Sequence, residues 1–307
     1  MEGEILSLGV ALLWTFTAIF AEMAGRRLGA LTLNVWRMVV TLFLIGVLLW
    51  SVCGVPYPRY ASPSVWGWFL ASGFMGFVFG DYCLFNSYIL IGSRFGQLFM
   101  VLASPFAAIT AWLLLGERMT LLALAGMFVT MLGIAISILG KGQDGHRRVS
   151  LPLRGIMLGI GAALGQGAGL VLSKVGMLQY AACVPPSEVS AVRMMPFAGT
   201  MIRALMGLLG FGVALLLQGK ASTLPMAWRD RRAMLSGLGA IILGPFLGVS
   251  LSLRVLDMTD AGVAQTLMSL TPVFILLPSH IAFGTRITLR EVLGAAIAVC
   301  GASLFFL

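Results

Sequence analysis

The chain has 307 residues, of which 59% are hydrophobic and 10% charged, with a mean hydropathy of +1.00. Soluble domains carry roughly 25% charged residues, so a chain this apolar takes the bilayer as its solvent and a water-soluble fold is excluded. The net charge of +9 would direct a soluble protein to nucleic acid, but here Lys and Arg sit in short breaks between apolar runs, which is a membrane-topology pattern.

A spanning helix needs about 20 apolar residues, and ten such runs follow in order. Span 1 is predicted near Ile5 to Ala21 and ends before Glu22 and Arg26-Arg27. Span 2 covers Leu31 to Cys53 and is broken by Gly54-Val55-Pro56-Tyr57-Pro58. Span 3, Trp66 to Ile91, holds Gly80-Asp81. Span 4, Phe95 to Leu115, carries Pro105, and span 5 covers Leu121 to Leu139. Residues 141–152 form the one polar linker, dividing the chain into halves 1–140 and 153–307. Span 6, Leu153 to Met177, places Gly161, Gly165 and Gly169 on one face, which lets another helix come close. Span 7 covers Val189 to Leu217, and a basic loop with Lys220, Arg229, Arg231 and Arg232 follows. Span 8, Met234 to Leu256, carries Pro245. Span 9, Gly262 to Phe283, carries Pro272 and Pro278, and span 10 runs from near Val292 to the C-terminus.

The two halves share text at a spacing of 168 residues. Gln97 returns as Gln265, Met100 as Met268, Leu102 as Leu270 and Phe106 as Phe274. Gly116-x-Arg118-x-Thr120 returns as Gly284-x-Arg286-x-Thr288, and Gly76-x-x-x-Gly80 as Gly244-x-x-x-Gly248. This is an internal duplication. Five spans per half put the second half into the membrane from the other side. The expected fold is therefore an all-α membrane protein, ten transmembrane helices as two inverted five-helix repeats around a central cavity.

Several motifs resemble one family. They are Trp14 late in span 1, Arg37 early in span 2, the GD-x-x-LF run from Gly80 to Gly92-Ser93-Arg94, and the Pro105 to Thr120 segment ending G-E-R-x-T. In this order they resemble EamA-type members of the drug/metabolite transporter superfamily, with each half an EamA-like repeat. In the second half the pattern is weaker: Arg193 matches Arg37, and Thr285 replaces Glu117. The resemblance implies ten helices, a cavity lined by spans 1, 3, 4, 6, 8 and 9, and transport of small polar or amphipathic metabolites, often outward. It implies an integral protein of a bacterial inner (plasma) membrane and no enzyme activity.

Polar groups inside spans are costly and need a partner, water or a purpose. Asp81 either lines the cavity or pairs with an arginine. Arg37 and Arg193, at equivalent places, are expected to snorkel to the interface, whereas Arg203 lies deeper and suits an anionic ligand group or a buried acid. Gln97 and Gln265 are repeat equivalents that either face the cavity or bond a neighbouring helix. Tyr82, Asn86, Gln166, Ser269 and Thr271 pose the same choice, and Trp14 either stacks on a ligand or packs. Glu22 and Lys174 read as interfacial span ends. Pro105, Pro245 and Pro272 each remove a helix hydrogen bond and are either gating hinges or fixed kinks.

Four scattered cysteines without C-x-x-C argue against a disulfide framework or a metal site, and no P-loop is present, so neither cofactor nor ATP hydrolysis is expected. The expected partners are the lipid bilayer, a small-molecule substrate and, through Asp81, protons. The glycine faces read as internal packing rather than a dimer contact, so a monomer suffices. Basic residues crowd the loops opposite the termini, against Arg59 and Arg118 on the terminal side. The positive-inside rule thus puts the termini outside, while the family resemblance puts them in the cytoplasm. The expected function is secondary transport by alternating access, in the export direction. The alternatives are a non-transporting role in lipid handling or assembly, and an intramembrane aspartyl protease using Asp81 and Asp257.

Overall fold

A computed structural model describes residues 2–138, 152–227, 229–283 and 288–304. The polar linker, apart from Pro152, and the Gly284–Arg286 repeat of the Gly116–Arg118 break lie outside these residues. Among the described residues every regular element is helical. The first half comprises α1 (Glu2–Leu28), α2 (Ala30–Cys53), α3 (Pro63–Gly73), a π segment (Phe74–Asp81), α4 (Tyr82–Met100), α5 (Ala103–Leu115) and α6 (Leu121–Ile138). In the second half come α7 (Leu153–Cys183), α8 (Val189–Leu217), a short α9 (Thr223–Ala227), α10 (Arg231–Ile241) and a second π segment (Ile242–Val249). These are followed by α11 (Ser250–Val255), α12 (Ala261–Met268), α13 (Thr271–Phe274), α14 (Leu276–Phe283) and α15 (Leu289–Ser303). Seven helical runs are long and apolar enough to cross a membrane, and three shorter apolar helices accompany them, Ala103–Leu115, Leu121–Ile136 and Val292–Gly301. Large side chains such as Phe43, Phe128, Leu217 and Ile281 stay exposed. A membrane protein presents such side chains to lipid, and no hydrophobic force drives them inward.

The helices are not uniform, and their irregularities repeat. The two π segments lie 168 residues apart, the same spacing as the duplicated text. A π turn has no i→i+4 ladder and therefore releases carbonyls, often at functional sites. In the second segment the cause is visible: Pro245 supplies no N–H, and the wider turn accommodates its ring. Span 4 is interrupted at Val101-Leu102 and span 9 at Ser269-Leu270, again at equivalent places. The first break ends three residues before Pro105 and the second ends two residues before Pro272. The carbonyl that Pro105 leaves without its usual partner, on Val101, accepts from the Ser104 N–H at 3.3 Å. The corresponding carbonyl on Met268 accepts from the Thr271 hydroxyl at 2.9 Å. Between spans 3 and 4 the chain turns at Gly92, whose φ of 81° is open to glycine at little cost.

Packing between the halves follows a two-fold rule. Gly133 on α6 lies against the backbone of Ala298 on α15, while Gly301 on α15 lies against the backbone of Thr130 on α6. Those four positions are two pairs at the duplication spacing, so the contact is isologous. The same swap occurs at the π segments: Gln166 of α7 sits at Gly80, and Trp14 of α1 sits at the equivalent Gly248. The small-residue face of α7 is explained here, because Gly165 meets Gly80 and Gly169 meets Gly76 in near backbone-to-backbone contact. A Cβ at Gly133 would meet main-chain atoms, which cannot swing away. Gly133→Val is therefore expected to destabilise the detergent-solubilised protein by about 1–3 kcal/mol, read as a lowered thermal midpoint, whereas the same change at Gly212, where nothing lies within 4 Å, is expected to be silent.

Candidate functional site

Contacts at the helix ends define two sides. On the terminal side Gly3 and Glu4 of α1 meet Met258 and Thr259, and on the other side Arg27 bonds Asp230 at 2.9 Å. From mid-depth toward that second side lies a small cavity, with about 60 Å³ of free space for water-sized molecules. Its wall combines Trp14, Thr17 and Ala18 of α1, Arg37 of α2, Phe77 and Asp81 of the first π segment, and Leu84, Phe85, Tyr88, Gln97 and Met100 of α4. From the second half come Gln166 of α7, with Gly244 and Val249 of the second π segment. The wall is largely apolar and aromatic, with a few converging polar groups.

Asp81 is the hub of those polar groups. It is 4% exposed, and one carboxylate oxygen accepts from Arg37 Nη1 at 2.9 Å. The other accepts from Gln166 Nε2 at 2.7 Å, and the same amide reaches the carbonyl of Gly76 at 3.0 Å. The π segment thus offers both a side chain and a released carbonyl to a residue of the other half. Arg37 does not snorkel: it is 3% exposed, holds Asn34 as well as Asp81, and lies 4.3 Å over the Phe85 ring. The interface position expected from its place early in α2 is overridden by a buried carboxylate within reach.

Arg203 is equally buried and lies 4.9 Å over the ring of Phe77. Its guanidinium fills the space beside Gly76, while Arg37 approaches the repeat-equivalent Gly244. The arginine that answers Arg37 across the two halves is therefore Arg203 and not Arg193, which is exposed in the first turns of α8. Length explains the shift: α8 has 29 residues against 24 in α2, so counting from the helix start misplaces the counterpart.

The remaining expected site residues divide. Trp14, Gln97 and Gln166 line the cavity, Gln97 donating to the Tyr88 hydroxyl. Tyr82 and Asn86 line a separate cleft with Ala30, Lys220 and Thr223, and the Asn86 amide bonds its own helix at Tyr82. Gln265 is buried but does not line the cavity. Ser269 lies 3.1 Å from the Ser104 hydroxyl, and Thr271 donates to the carbonyl of Ala11 at 3.3 Å, so both join helices. Pro105 and Pro272 flank the interruptions of spans 4 and 9, and Pro245 lies within the π segment beside the cavity. Asp81 and Asp257 do not converge: Asp257 sits beyond the end of α11 with Arg254 at 3.4 Å and is absent from the cavity wall.

Two charged clusters escaped sequence reasoning. Glu22 and Lys174 are 7% and 8% exposed rather than interfacial. Glu22 accepts the N–H of Ser93, the first residue after the Gly92 turn, and pairs with Arg26 at 2.8 Å. On the terminal side Glu117 accepts the N–H of Ala261, which opens α12, and pairs with Lys174 at 2.7 Å. Lys174 also donates to the carbonyl of Thr259 at 3.0 Å. Ser93 and Ala261 are repeat equivalents, so each half presents a helix start to a carboxylate, as a helix N-terminus favours. The two sides are unlike. The terminal side is tied across the halves by a largely buried Lys174 paired with a partly buried Glu117, whereas the Arg27–Asp230 tie on the other side is exposed. There the Ala233 N–H and Arg27 hold the Asp230 carboxyl below the usual carboxylate range, so that tie is present at neutral pH and fades as pH falls through the lowered value. The sequence signal for the ion pair was the departure of Thr285 from Glu117: only one half keeps the acid.

Comparison with known proteins agrees with this architecture. A solved structure titled only as a crystal structure of a protein superposes with a TM-score of 0.71 at 18% identity, covering 99% of this chain and 96% of its own. At that identity the likeness concerns the fold alone. Among curated proteins no significant match is found. The profile described as the EamA-like transporter family matches residues 1–139 and again residues 153–307. Both halves carry the family pattern, and the chain belongs to the EamA-like transporter family.

Proposed function

We propose that the protein is a secondary transporter that carries a small polar or amphipathic metabolite outward by alternating access, with ten spans arranged as two inverted repeats of residues 1–140 and 153–307. The observation that carries this reading is a mid-depth cavity walled by both halves, with the ion pair that ties the halves on the terminal side far less exposed than the one on the other side. Such a site can be presented to each side in turn when the repeats rock against one another. The present conformation has its terminal side tied and its cavity toward the other side. The breaks at Val101-Leu102 and Ser269-Leu270, with Pro245 in the π segment, are the hinge points of that motion. Trp14, Gln97, Gln166, Arg37 and Asp81 form the substrate path, Tyr82 and Asn86 its entrance cleft, and Arg203 the charge behind it. Asp81 is the proton carrier if the coupling ion is a proton, and transport in liposomes indifferent to a pH gradient overturns that part.

The working unit is a monomer in an inner (plasma) membrane. The basic loops support a reading with the termini outside and the cavity toward the cytoplasm, the side from which an exporter loads. Cys183 is exposed at the terminal side, as the last residue of α7. A variant keeping only this cysteine is expected to react with a membrane-impermeant maleimide in intact cells, and labelling only after lysis reverses the orientation.

The function itself is tested by untargeted metabolite profiling of cells and medium with the protein absent, normal and overproduced. One class of small molecule is expected to accumulate in the medium in proportion to protein level. Unmoved metabolites with altered lipid or envelope composition would instead support a lipid-handling or assembly role.

A further inference from the structure

Buried polar atoms without partners gather at one place. Asn34 Nδ2, Arg37 Nε and Thr41 Oγ1 have none, and they lie at i, i+3 and i+7, on one face of α2. Arg203 Nε has none either. All four residues are at most 3% exposed, so solvent does not supply what is missing. Three of the four atoms are donors, and what they lack is an acceptor. The charge count points the same way. Two guanidiniums, Arg37 and Arg203, face one carboxylate, Asp81, and the other groups packed there, Gln97, Gln166 and Tyr88, are neutral side chains. Glu22 is occupied by Arg26 and the Ser93 N–H. One positive charge is left over inside the membrane, where an uncompensated charge is costly.

We infer that the cavity is built for a singly charged anion, an amphipathic organic carboxylate whose head engages Arg37 under the field of Arg203 and whose apolar body lies against Trp14, Phe77 and Phe85. Arg37 already lines the cavity, and its Nε is free to donate beside the Nη1 held by Asp81. The aromatic wall matches an apolar body. A single negative charge neutralises the excess, whereas a cation would double it and a neutral amide would leave it. Arg203 acts from behind Phe77 through its charge, as a positioning residue. This inference rests on the transporter reading only in taking the cavity as the site of the transported molecule.

The test uses the full-length protein purified in detergent and three probes of one shape, 3-phenylpropanoate, 3-phenylpropanamide and 3-phenylpropylamine. A ligand that binds the folded state raises the thermal midpoint in a saturable way. The carboxylate is expected to do so and the other two are not. Arg203→Gln is expected to weaken carboxylate binding on the order of tenfold, the loss of one charge contact, while Arg203→Lys keeps most of it because the charge remains. The inference is overturned if the amide or the amine stabilises as well as the carboxylate, if none of the three does, or if Arg203→Gln binds as tightly as the parent. If Arg203→Gln does not fold, the Lys variant and the three-probe comparison on the parent still decide. The two readings fail separately: anion binding without any exported metabolite sinks transport, and export without anion binding sinks only this inference.

Discussion

Asp81→Asn is expected to reduce the folded protein recovered from membranes more than any other single change in the cavity. The carboxylate is the sole acidic partner of Arg37 among the described residues and receives Gln166 as well. Neutralising it leaves two buried guanidiniums without a counter-charge. Removing one partner of a buried ion pair costs about 3–5 kcal/mol, because the other charge stays desolvated. That is a large share of the 5–15 kcal/mol of a typical native state. The double variant Arg37→Gln with Asp81→Asn removes the pair together and is expected to recover most of the lost stability. Fluorescence-detected size exclusion and thermal melting of the two single variants and the double measure the coupling directly. If Asp81→Asn alone is as stable as the parent, the carboxylate is already protonated in the folded protein and the ion pair drawn here does not exist. Recovery of folding without recovery of export would separate the structural from the transporting role of the pair.

The second large effect concerns the tie on the terminal side. Lys174→Met is expected to open that side, because Lys174 joins Glu117 of the first half to the Thr259 carbonyl of the second. The Ala261 N–H still bonds Glu117, whose carboxylate is within reach of water, so the variant is expected to fold. What is lost is the contact that favours one conformation over the other, and a bias of about 1.4 kcal/mol is a tenfold change in population. A reporter cysteine in place of Thr17, in a background without the native cysteines, reads that population from within the cavity. In the parent it should label with an impermeant reagent from the side opposite the termini. With Lys174→Met added, its labelling from the terminal side should rise on the order of tenfold. An unchanged ratio between the two sides would mean that the ion pair braces the fold and gates nothing. The rocking motion would then need another lock.

The sequence by itself determined the solvent, the helical class, the duplication and the family. Each is set by a property that one chain position or a fixed spacing carries: hydropathy sums along a run, and duplicated text survives as text. The 168-residue spacing even located features that no propensity reveals, since the π segments and both span interruptions fall on it. Asp81, Trp14, Gln97 and Gln166 could be picked out because a polar or aromatic side chain at mid-span stands out against an apolar background.

Only the tertiary structure decided which charge answers which. Whether Arg37 reaches the interface or a carboxylate depends on what lies across from it, and Asp81 comes from another helix. The pairing of Arg37 with Arg203 instead of Arg193 depends on the length of α8 and on where the swapped helices cross. Glu22, Lys174 and Glu117 each sit near a helix end in the sequence, where solvent is the default expectation. Glu22 and Lys174 are buried, and Glu117 partly so, because Glu22 of α1 accepts from the start of the helix at Ser93 and Lys174 of α7 pairs with Glu117, which accepts from the start of α12. Gln97 and Gln265 share a sequence position but not an environment, since one faces the cavity and the other does not. The duplication is symmetric in its backbone and unsymmetric in its charges. That asymmetry ties one side more firmly than the other, and it arises only from contacts between residues far apart in the chain.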